Sequence, residues 1–293
     1  HHAYGPWAPS RPSGPYFPSF HARPAHGHVN DPNGPFFYRG WYHLFMQAMG
    51  FDPELGANSG PGWAHVVSRD LATWHELPPA LVPRGSVKAY FSGSVSIVDG
   101  APVMILPINR APTGPGDPGQ AIGLSWPLNL SDPLLVDWST PEVVIRWNES
   151  KVGHPLNKAS PVFEDPSQFF EDPLLPGRLL FVQQTSTATD RQYMQLWANT
   201  SADLTQRWEP MGNLFPGQGS CDPMLIPAMP AVAAAGQGQG GSSSTAVFYA
   251  CNNIGWIGDY KNLTFTPHTP LRYYDTSQFS GGWETSALKG FWD

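Results

Sequence analysis

Residues 28–35 read His-Val-Asn-Asp-Pro-Asn-Gly-Pro, and residues 36–47 continue as Phe-Phe-Tyr-Arg-Gly-Trp-Tyr-His-Leu-Phe-Met-Gln. Asp-Pro-Asn-Gly favours a turn, because each of its residues suits a bend in the backbone. The apolar runs 35–38 and 41–47 flank Arg39-Gly40, which predicts a two-residue β-hairpin. This stretch therefore predicts a strand pair that begins just after an acidic residue, Asp31.

Short apolar runs with turn residues between them recur along the whole chain. Residues 91–98 turn at Asp99-Gly100 into residues 101–106, which predicts a second hairpin. Further strands are predicted over residues 64–68, 120–125, 167–170, 179–184, 193–198, 246–251 and 254–259. We find no convincing amphipathic helix, and 33 Pro and 30 Gly interrupt the chain. The fold class predicted is all-β.

A weak internal repeat indicates how these strands are grouped. An acid or serine recurs at strand-like starts, at intervals of roughly 50 to 75 residues, at Asp31, Ser92, Asp165, Asp222 and Asp275. Five such starts predict a five-bladed β-propeller over residues 26–293, in which corresponding strand starts converge at one mouth of the central channel. Residues 1–25 are interpreted as an irregular N-terminal arm and residues 231–245 as a low-complexity loop within a blade.

Composition excludes several classes of function. The net charge of −7 disfavours nucleic acid, and no apolar run approaches the ~20 residues of a membrane helix. Ten His and two Cys show no metal-ligand spacing, so neither a metal nor a cofactor is expected, and no oligomeric state is indicated. Four N-glycosylation sequons favour a secreted, cell-wall or vacuolar protein, and they begin at Asn129, Asn148, Asn199 and Asn262.

Taken together and in order, these motifs resemble glycoside hydrolase family 32, the invertases and fructan hydrolases. The segment 28–35 resembles the family's nucleophile motif, and residues 63–74, Trp-Ala-His-Val-Val-Ser-Arg-Asp-Leu-Ala-Thr-Trp, are similar to its Trp-Gly-His segment. Residues 91–94 resemble its substrate-contacting loop, and residues 257–260 and 274–275 resemble late propeller elements. The resemblance implies that the last blade is incomplete at Asp293 and that the family's C-terminal β-sandwich is absent from this chain.

The resemblance also implies catalytic roles. Asp31 corresponds to the nucleophile and Asp165 to the acid that stabilises the transition state, with Asp172, in a near-repeat of the same motif, as the rival. Glu164 stands where the family has arginine. The family's Glu-Cys-Pro motif becomes Ser-Cys-Asp-Pro at residues 220–223, where either serine or cysteine replaces the glutamate, so Asp222 is the substitute acid/base.

A fructose pocket is expected around these acids, with aromatic faces against the sugar and polar groups on its hydroxyls. The candidate substrate-binding residues are Asn30, Gln47, Trp63, Phe91, Ser92 and Glu164. The alternative for Trp63 and Phe91 is that they are residues of the hydrophobic core and do not line the pocket. Three functional hypotheses follow: a retaining hydrolase of terminal β-D-fructofuranosides such as sucrose or short fructans, a sugar-binding pseudoenzyme, and a fructosyltransferase.

Overall fold

Nearly all the regular structure in the described part of the chain is β-strand, arranged in four antiparallel sheets. These sheets come from a computed structural model. The residues it describes are 22–25, 27–49, 60–114, 117–149, 162–172, 175–186, 193–199, 201, 203–206, 208–215, 223–227, 244–250 and 254–272. In this part of the chain no helix is long and apolar enough to span a membrane.

Blade 1 is a four-stranded meander in which each strand pairs with the next along the chain. Its strands are β1 (His28–Tyr38), β2 (Trp41–Met49), β3 (Gly62–Ser68) and β4 (Trp74–Leu81). Arg39 and Gly40 both have positive φ, of 47° and 86°, as the predicted tight hairpin between β1 and β2 requires. Because the strands alternate in direction, Asp31 in β1, the end of β2 and the start of β3 share one end of the blade.

The next three blades repeat this order. The inner strand of a blade is its first strand along the chain, and in these three blades it is interrupted or short. Blade 2 contains β5 (Val87–Tyr90), β6 (Ser94–Val98), β7 (Ala101–Arg110), β8 (Gln120–Ser125) and β9 (Glu142–Arg146). Blade 3 contains β10 (Phe163–Glu164), β11 (Phe170–Glu171), β12 (Leu179–Thr185), β13 (Tyr193–Asn199) and β14 (Glu209–Asn213). Blade 4 contains β15 (Met224–Pro227), β16 (Ser244–Ala250), β17 (Ile254–Lys261) and β18 (Thr264–Arg272). A short 3₁₀ helix, Trp147–Glu149, follows β9.

The three larger hydrophobic cores of the described residues each lie between two successive blades, and a small fourth cluster around Ala48 and Ala64 lies within blade 1. In β7, Met104 and Leu106 pack towards blade 1, whereas Val103 and Ile105 pack towards blade 3. The core between blades 3 and 4 contains Phe248 and its neighbours in blade 4. Successive side chains of a strand point to opposite faces of the sheet, so a strand buried on both faces is a continuous apolar run. This face-to-face stacking is the packing of propeller blades, and the start predicted for a fifth blade, Asp275, lies outside the described residues.

The all-β prediction is confirmed, while several boundaries need correction. Residues 91–98 are not one strand, because β5 and β6 are separate and residues 91–93 lie between them. Residues 167–169 are irregular, and of the predicted strand 167–170 only Phe170 pairs with β12, as part of Phe170–Glu171. Ser244–Ala250 is a strand, so the predicted loop 231–245 ends before residue 244, and its other residues lie outside the described ones.

The N-terminal arm falls mostly on residues 1–21, which are not described. Its last residue, Ala25, is buried and its backbone amide donates a hydrogen bond of 2.8 Å to Glu76 Oε2 in β4. This contact attaches the end of the arm to the outer strand of blade 1.

Two histidines form a buried pair inside blade 1. His43 Nδ1 and His65 Nε2 lie 3.0 Å apart on paired strands, and both side chains are fully buried. His43 also stacks on Phe36 with ring centroids 4.6 Å apart. Burial lowers the pKa of His43 to about 4, although the Pro133 carbonyl and the Asp132 charge oppose the shift. Burial, followed by the proximity of His43, lowers the pKa of His65 well below its ordinary value.

This pair predicts a loss of stability in acid. The folded-state pKa of His43 lies below its unfolded value of 6.5, so the unfolded chain binds the proton more tightly. Stability is therefore intact above pH 6.5 and falls as the pH drops towards 4, by up to about 3 kcal/mol from His43 alone. Urea unfolding of the wild type and His43→Gln at several pH values measures this, and His43→Gln is expected to show a shallower pH dependence.

The exposed His75 in the same blade provides the control, because His75→Gln should leave the pH dependence of unfolding as in the wild type. Equal pH dependence in the wild type and His43→Gln would contradict the prediction.

Candidate active site

Asp31 lies in an irregular part of β1 that sets the position of its carboxylate. Val29 pairs with Ala48 and Pro32 with Met46, so Asn30 and Asp31 together oppose the single residue Gln47. This is a β-bulge, which bends a strand and redirects its side chains. The backbone at the half-buried Asp31 thus differs from that of a regularly paired strand.

The Gln47 side-chain amide joins both bulge residues to the next blade. Its Oε1 accepts a hydrogen bond of 3.4 Å from Asn30 Nδ2, and its Nε2 donates one of 3.2 Å to Asp31 Oδ2. Ser92, between β5 and β6, donates through Oγ to the same Oδ2 at 2.5 Å, and Gln47 Nε2 lies 2.5 Å from that Oγ. Gln47 and Ser92 are 5% and 1% exposed, so these two members of the network are shielded from water.

Both hydrogen bonds to the carboxylate end on one oxygen. Among the described residues, Asp31 Oδ1 accepts no hydrogen bond, whereas Oδ2 accepts from Ser92 and Gln47. One oxygen is therefore fixed by two donors and the other is available for a ligand or an electrophile. This is the arrangement that a carboxylate nucleophile needs, because its orientation is set before the substrate arrives.

Two glycines allow close backbone packing around Ser92, Gly34 between blades 1 and 2 and Gly93 within blade 2. Gly34, with φ +46°, is so near blade 2 that a Cβ there would lie 2.8 Å from the Val95 backbone nitrogen. A Cβ on Gly93 would lie 2.2 Å from the Ile105 carbonyl oxygen. Both positions exclude a side chain, and this close approach lets Ser92 reach Asp31.

Asp165 follows the first inner strand of blade 3 in a strained conformation. Its φ is +56°, a region that few non-glycine residues adopt, and it is 9% exposed. The loop after it is held from two sides: Ser94 Oγ donates to the Pro166 carbonyl at 3.0 Å, and the Ser167 amide donates to the Val182 carbonyl at 2.8 Å. Backbone strain fixed in this way is frequent at functional sites.

Ser94 connects the two candidate acids through blade 2. Ser92 bonds Asp31, and Ser94, two residues further along the same inner segment, bonds the residue after Asp165. Two residues of extended chain span about 7 Å. The structure thus places Asp31 and the segment after Asp165, far apart in sequence, on either side of the same inner segment of blade 2.

The remaining predicted pocket residues occupy different environments. Trp63 is 0% exposed within the core between blades 1 and 2, and its Nε1 donates to the Phe91 carbonyl at 2.9 Å. The structure therefore gives Trp63 the core position, from which it holds the backbone next to Ser92. Phe91 is half-buried and Asn30 is exposed. Glu164 is half-buried, and its Oε1 accepts a hydrogen bond of 3.4 Å from Gln120 Nε2 of blade 2.

The proposed acid/base lies outside the described residues, as do the two residues before it, Ser220 and Cys221. In the described part of the chain, no group of three or more His, Cys, Asp or Glu side chains could hold a metal ion.

Sequence reasoning missed the linking roles of Ser94 and Ser96. The Ser96 Oγ accepts a hydrogen bond of 2.7 Å from the Phe169 amide. The alternation of serine at 94 and 96 in β6 was the available signal, because it places both side chains on one face of the strand.

Asp172, the rival to Asp165, is part of a buried ion pair. Its carboxylate accepts hydrogen bonds from the Arg178 guanidinium, including one of 2.9 Å from Nε, and Asp172 is 1% exposed. The ion pair borders blade 4, where burial, together with the Asp172 charge, raises the pKa of Tyr260. Because its charge is already paired, Asp172 is a structural residue between blades 3 and 4.

The family of this chain follows from comparison with known proteins. Residues 21–281 match the model of the glycosyl hydrolases family 32 N-terminal domain. The chain belongs to glycosyl hydrolase family 32.

Similar family 32 proteins come from plants. "Acid beta-fructofuranosidase 1, vacuolar" from a Rosa hybrid cultivar is 41% identical over 123 residues, which cover 41% of this chain and 20% of the rose protein. "Beta-fructofuranosidase, cell wall isozyme" from Zea mays is 39% identical over 143 residues, 46% of this chain and 23% of the maize protein. The solved fructan 1-exohydrolase IIa from Cichorium intybus matches with TM-score 0.64 and 27% identity, covering 87% of this chain and 47% of that one. The match to the chicory enzyme thus spans about half of its length.

Replacing either aspartate of blade 3 with asparagine is expected to have a different effect, a loss of stability at Asp172 and a loss of sugar binding or turnover at Asp165. Asp172→Asn leaves the buried Arg178 charge without its counter-charge, and breaking a buried ion pair costs about 3–5 kcal/mol. Asp165→Asn is expected to preserve the free energy of unfolding to within about 1 kcal/mol and to weaken sugar binding or turnover instead. Urea unfolding and fructoside binding of both variants measure the two effects, and a large stability loss in Asp165→Asn alone would contradict this assignment.

Proposed function

We propose that this chain forms the catalytic propeller of a β-fructofuranosidase that releases fructose from terminal β-D-fructofuranosides such as sucrose or short fructans. The observation that carries this proposal is the Asp31 carboxylate, held through Oδ2 by Ser92 and Gln47. Family membership and the names of the plant relatives support the class of reaction. A chicory fructan 1-exohydrolase of the same fold has been solved with 1-kestose, a small fructan, and this supports a small-carbohydrate substrate.

The proposed reaction retains the configuration at the anomeric carbon. Asp31 Oδ1 attacks that carbon, the bond to the leaving alkoxide breaks as the alkoxide takes a proton, and water then hydrolyses the fructosyl ester. Ser92 and Gln47 hold the carboxylate in place, so the attack requires little reorganisation. Asp165 accepts hydrogen bonds from sugar hydroxyls, which strengthen as the ring gains positive charge.

Proton transfer is assigned to Asp222 as the substitute for the family's glutamate. Retaining glycosidases place their two carboxyl groups about 5–5.5 Å apart. Aspartate is one methylene shorter than glutamate, so the inner segment that carries Asp222 has to lie closer to the Asp31 site. This substitution is the specific feature of the chain that keeps a second function open, a sugar-binding pseudoenzyme that retains Asp31 and Asp165 for recognition.

The proposal also covers the wider setting of the enzyme. Transfer of fructose to a sugar acceptor in place of water would use the same ester, so a fructosyltransferase is the third candidate. Relatives named as vacuolar and cell-wall enzymes support the same locations for this protein.

Substitution of the nucleophile gives the decisive test. With sucrose and 1-kestose, the full-length protein is expected to release fructose, and Asp31→Asn to lower kcat by at least about 10³-fold while its unfolding midpoint stays near the wild-type value. Ser92→Ala removes one donor from Oδ2 and should lower kcat by about 10-fold or more. NMR of the first fructose formed should show the β-anomer, as retention requires.

Further variants separate the candidate functions. Asp222→Asn should abolish turnover in the hydrolase, and full activity in this variant would remove Asp222 from the mechanism. A wild-type protein that binds fructosides in calorimetry without releasing fructose would establish the pseudoenzyme. Chromatographic detection of trisaccharides at high sucrose would identify the transferase.

A further inference from the structure

The four N-glycosylation sequons occupy different structural environments. N-glycosylation joins the asparagine Nδ2 to an oligosaccharide, so a modified residue needs an exposed side chain with an uncommitted amide. Asn129 and Asn262 are both exposed, and within the described part of the chain neither donates its Nδ2 to another group. The sequon at residues 148–150 extends beyond the described residues.

Asn199 is committed to the fold. It is 1% exposed at the end of β13, and its Nδ2 donates hydrogen bonds to the Gln206 carbonyl at 2.7 Å and the Asp203 carbonyl at 3.4 Å. Its Oδ1 accepts one of 2.5 Å from the Ser201 amide. A glycan on Nδ2 would have to occupy the space of the loop that this amide closes.

Asn129 projects from the connection between β8 and β9. Its Oδ1 accepts a hydrogen bond of 3.0 Å from the Ser131 amide, a turn that fixes the sequon on the surface. Leu128 and Leu130 on either side are 68% and 42% exposed. A sugar chain attached between these two leucines would cover apolar surface that otherwise faces water.

Asn262 forms the tight turn of the hairpin between β17 and β18. Lys261 pairs with Thr264, so Asn262 and Leu263 are the two turn residues, with φ of 50° and 62°. Asparagine tolerates this left-handed backbone better than most residues, and its side chain lies at the exposed tip of the hairpin.

Both exposed sequons lie at the end of the blades opposite the candidate active site. Asp31 lies near the start of β1, whereas the Asn129 loop contacts the other end of that strand, where Tyr38 Oη donates to the Leu130 carbonyl at 3.1 Å. The seven residues from Asp31 to Tyr38 span about 20 Å of strand. In blade 3, the inner segment runs from Asp165 to Asp172, so Asp172 lies at the end away from the candidate active site. Tyr260 of blade 4 lies beside Asp172, and the Asn262 turn follows Tyr260 directly.

We infer that Asn129 and Asn262 carry N-linked glycans on the face opposite the active site and that Asn199 is unmodified in the folded protein. In the reaction, each Nδ2 attacks the anomeric carbon of a lipid-linked oligosaccharide pyrophosphate. The new C–N bond replaces the C–O bond to the leaving pyrophosphate, and one amide proton passes to a base of the transferase. Chains modified on Asn199 cannot close the loop after β13 and are lost during folding.

The test is secretion of the full chain from a eukaryotic cell with a leader peptide, followed by peptide-N-glycosidase digestion in ¹⁸O water. Mass spectrometry is expected to find the Asn-to-Asp conversion with ¹⁸O at 129 and 262 and an unconverted asparagine at 199. Asn129→Gln and Asn262→Gln should each remove one glycan and leave the other in place. This mapping requires no enzymatic activity, so its outcome is independent of the proposed hydrolysis.

Ser201→Ala supplies the matched control, because it destroys the sequon at 199 while keeping the Asn199 side chain. Its glycan mass is expected to equal that of the wild type. A glycan on Asn199 of the folded protein, or an unmodified Asn129 or Asn262, would overturn the inference. Asn129→Gln and Asn262→Gln should keep the fructose release of the wild type, and a changed KM for sucrose would contradict placement on the opposite face.

Discussion

The Gln47 amide is the interaction on which the candidate site depends. A β-bulge leaves two residues of β1 opposite one residue of β2, and that single residue bonds both of them. Its Nε2 also lies beside Ser92, so the same amide fixes the geometry between blades 1 and 2. A buried polar network stabilises a site only when its members satisfy each other, and here the network also positions a carboxylate.

The contact between Ser92 and Asp31 depends on small side chains as well as on hydrogen bonds. Ser92 reaches the Asp31 carboxylate because Gly34 and Gly93 leave no side chains between the inner strands and their neighbours. From Ser92 the contact continues to Ser94 and then to the segment after Asp165. Ser92 and Ser94 in the inner segment of blade 2 therefore fix the position of the first blade relative to the third.

Much of the fold could be predicted because the two middle strands of each blade are apolar runs bounded by turn residues. Three of the outer strands were missed since they contain proline: residues 78–79 in β4, residue 210 in β14 and residues 267 and 270 in β18. In the site, Asp31 and its neighbours follow from a motif with a strong local pattern. The core position of Trp63 and the ion pair of Asp172 depend on contacts between blades, which local sequence does not encode.

The outer position of those prolines has a consequence for the behaviour of the protein in concentrated solution. Among the described residues, β4, β14 and β18 are the last strands of their sheets, so each has a neighbouring strand on one side only. Such an edge is a template for a strand of another molecule, and proline cannot donate the hydrogen bond that this association needs. The same residues that hide these strands from sequence-based prediction thus oppose edge-to-edge aggregation between molecules.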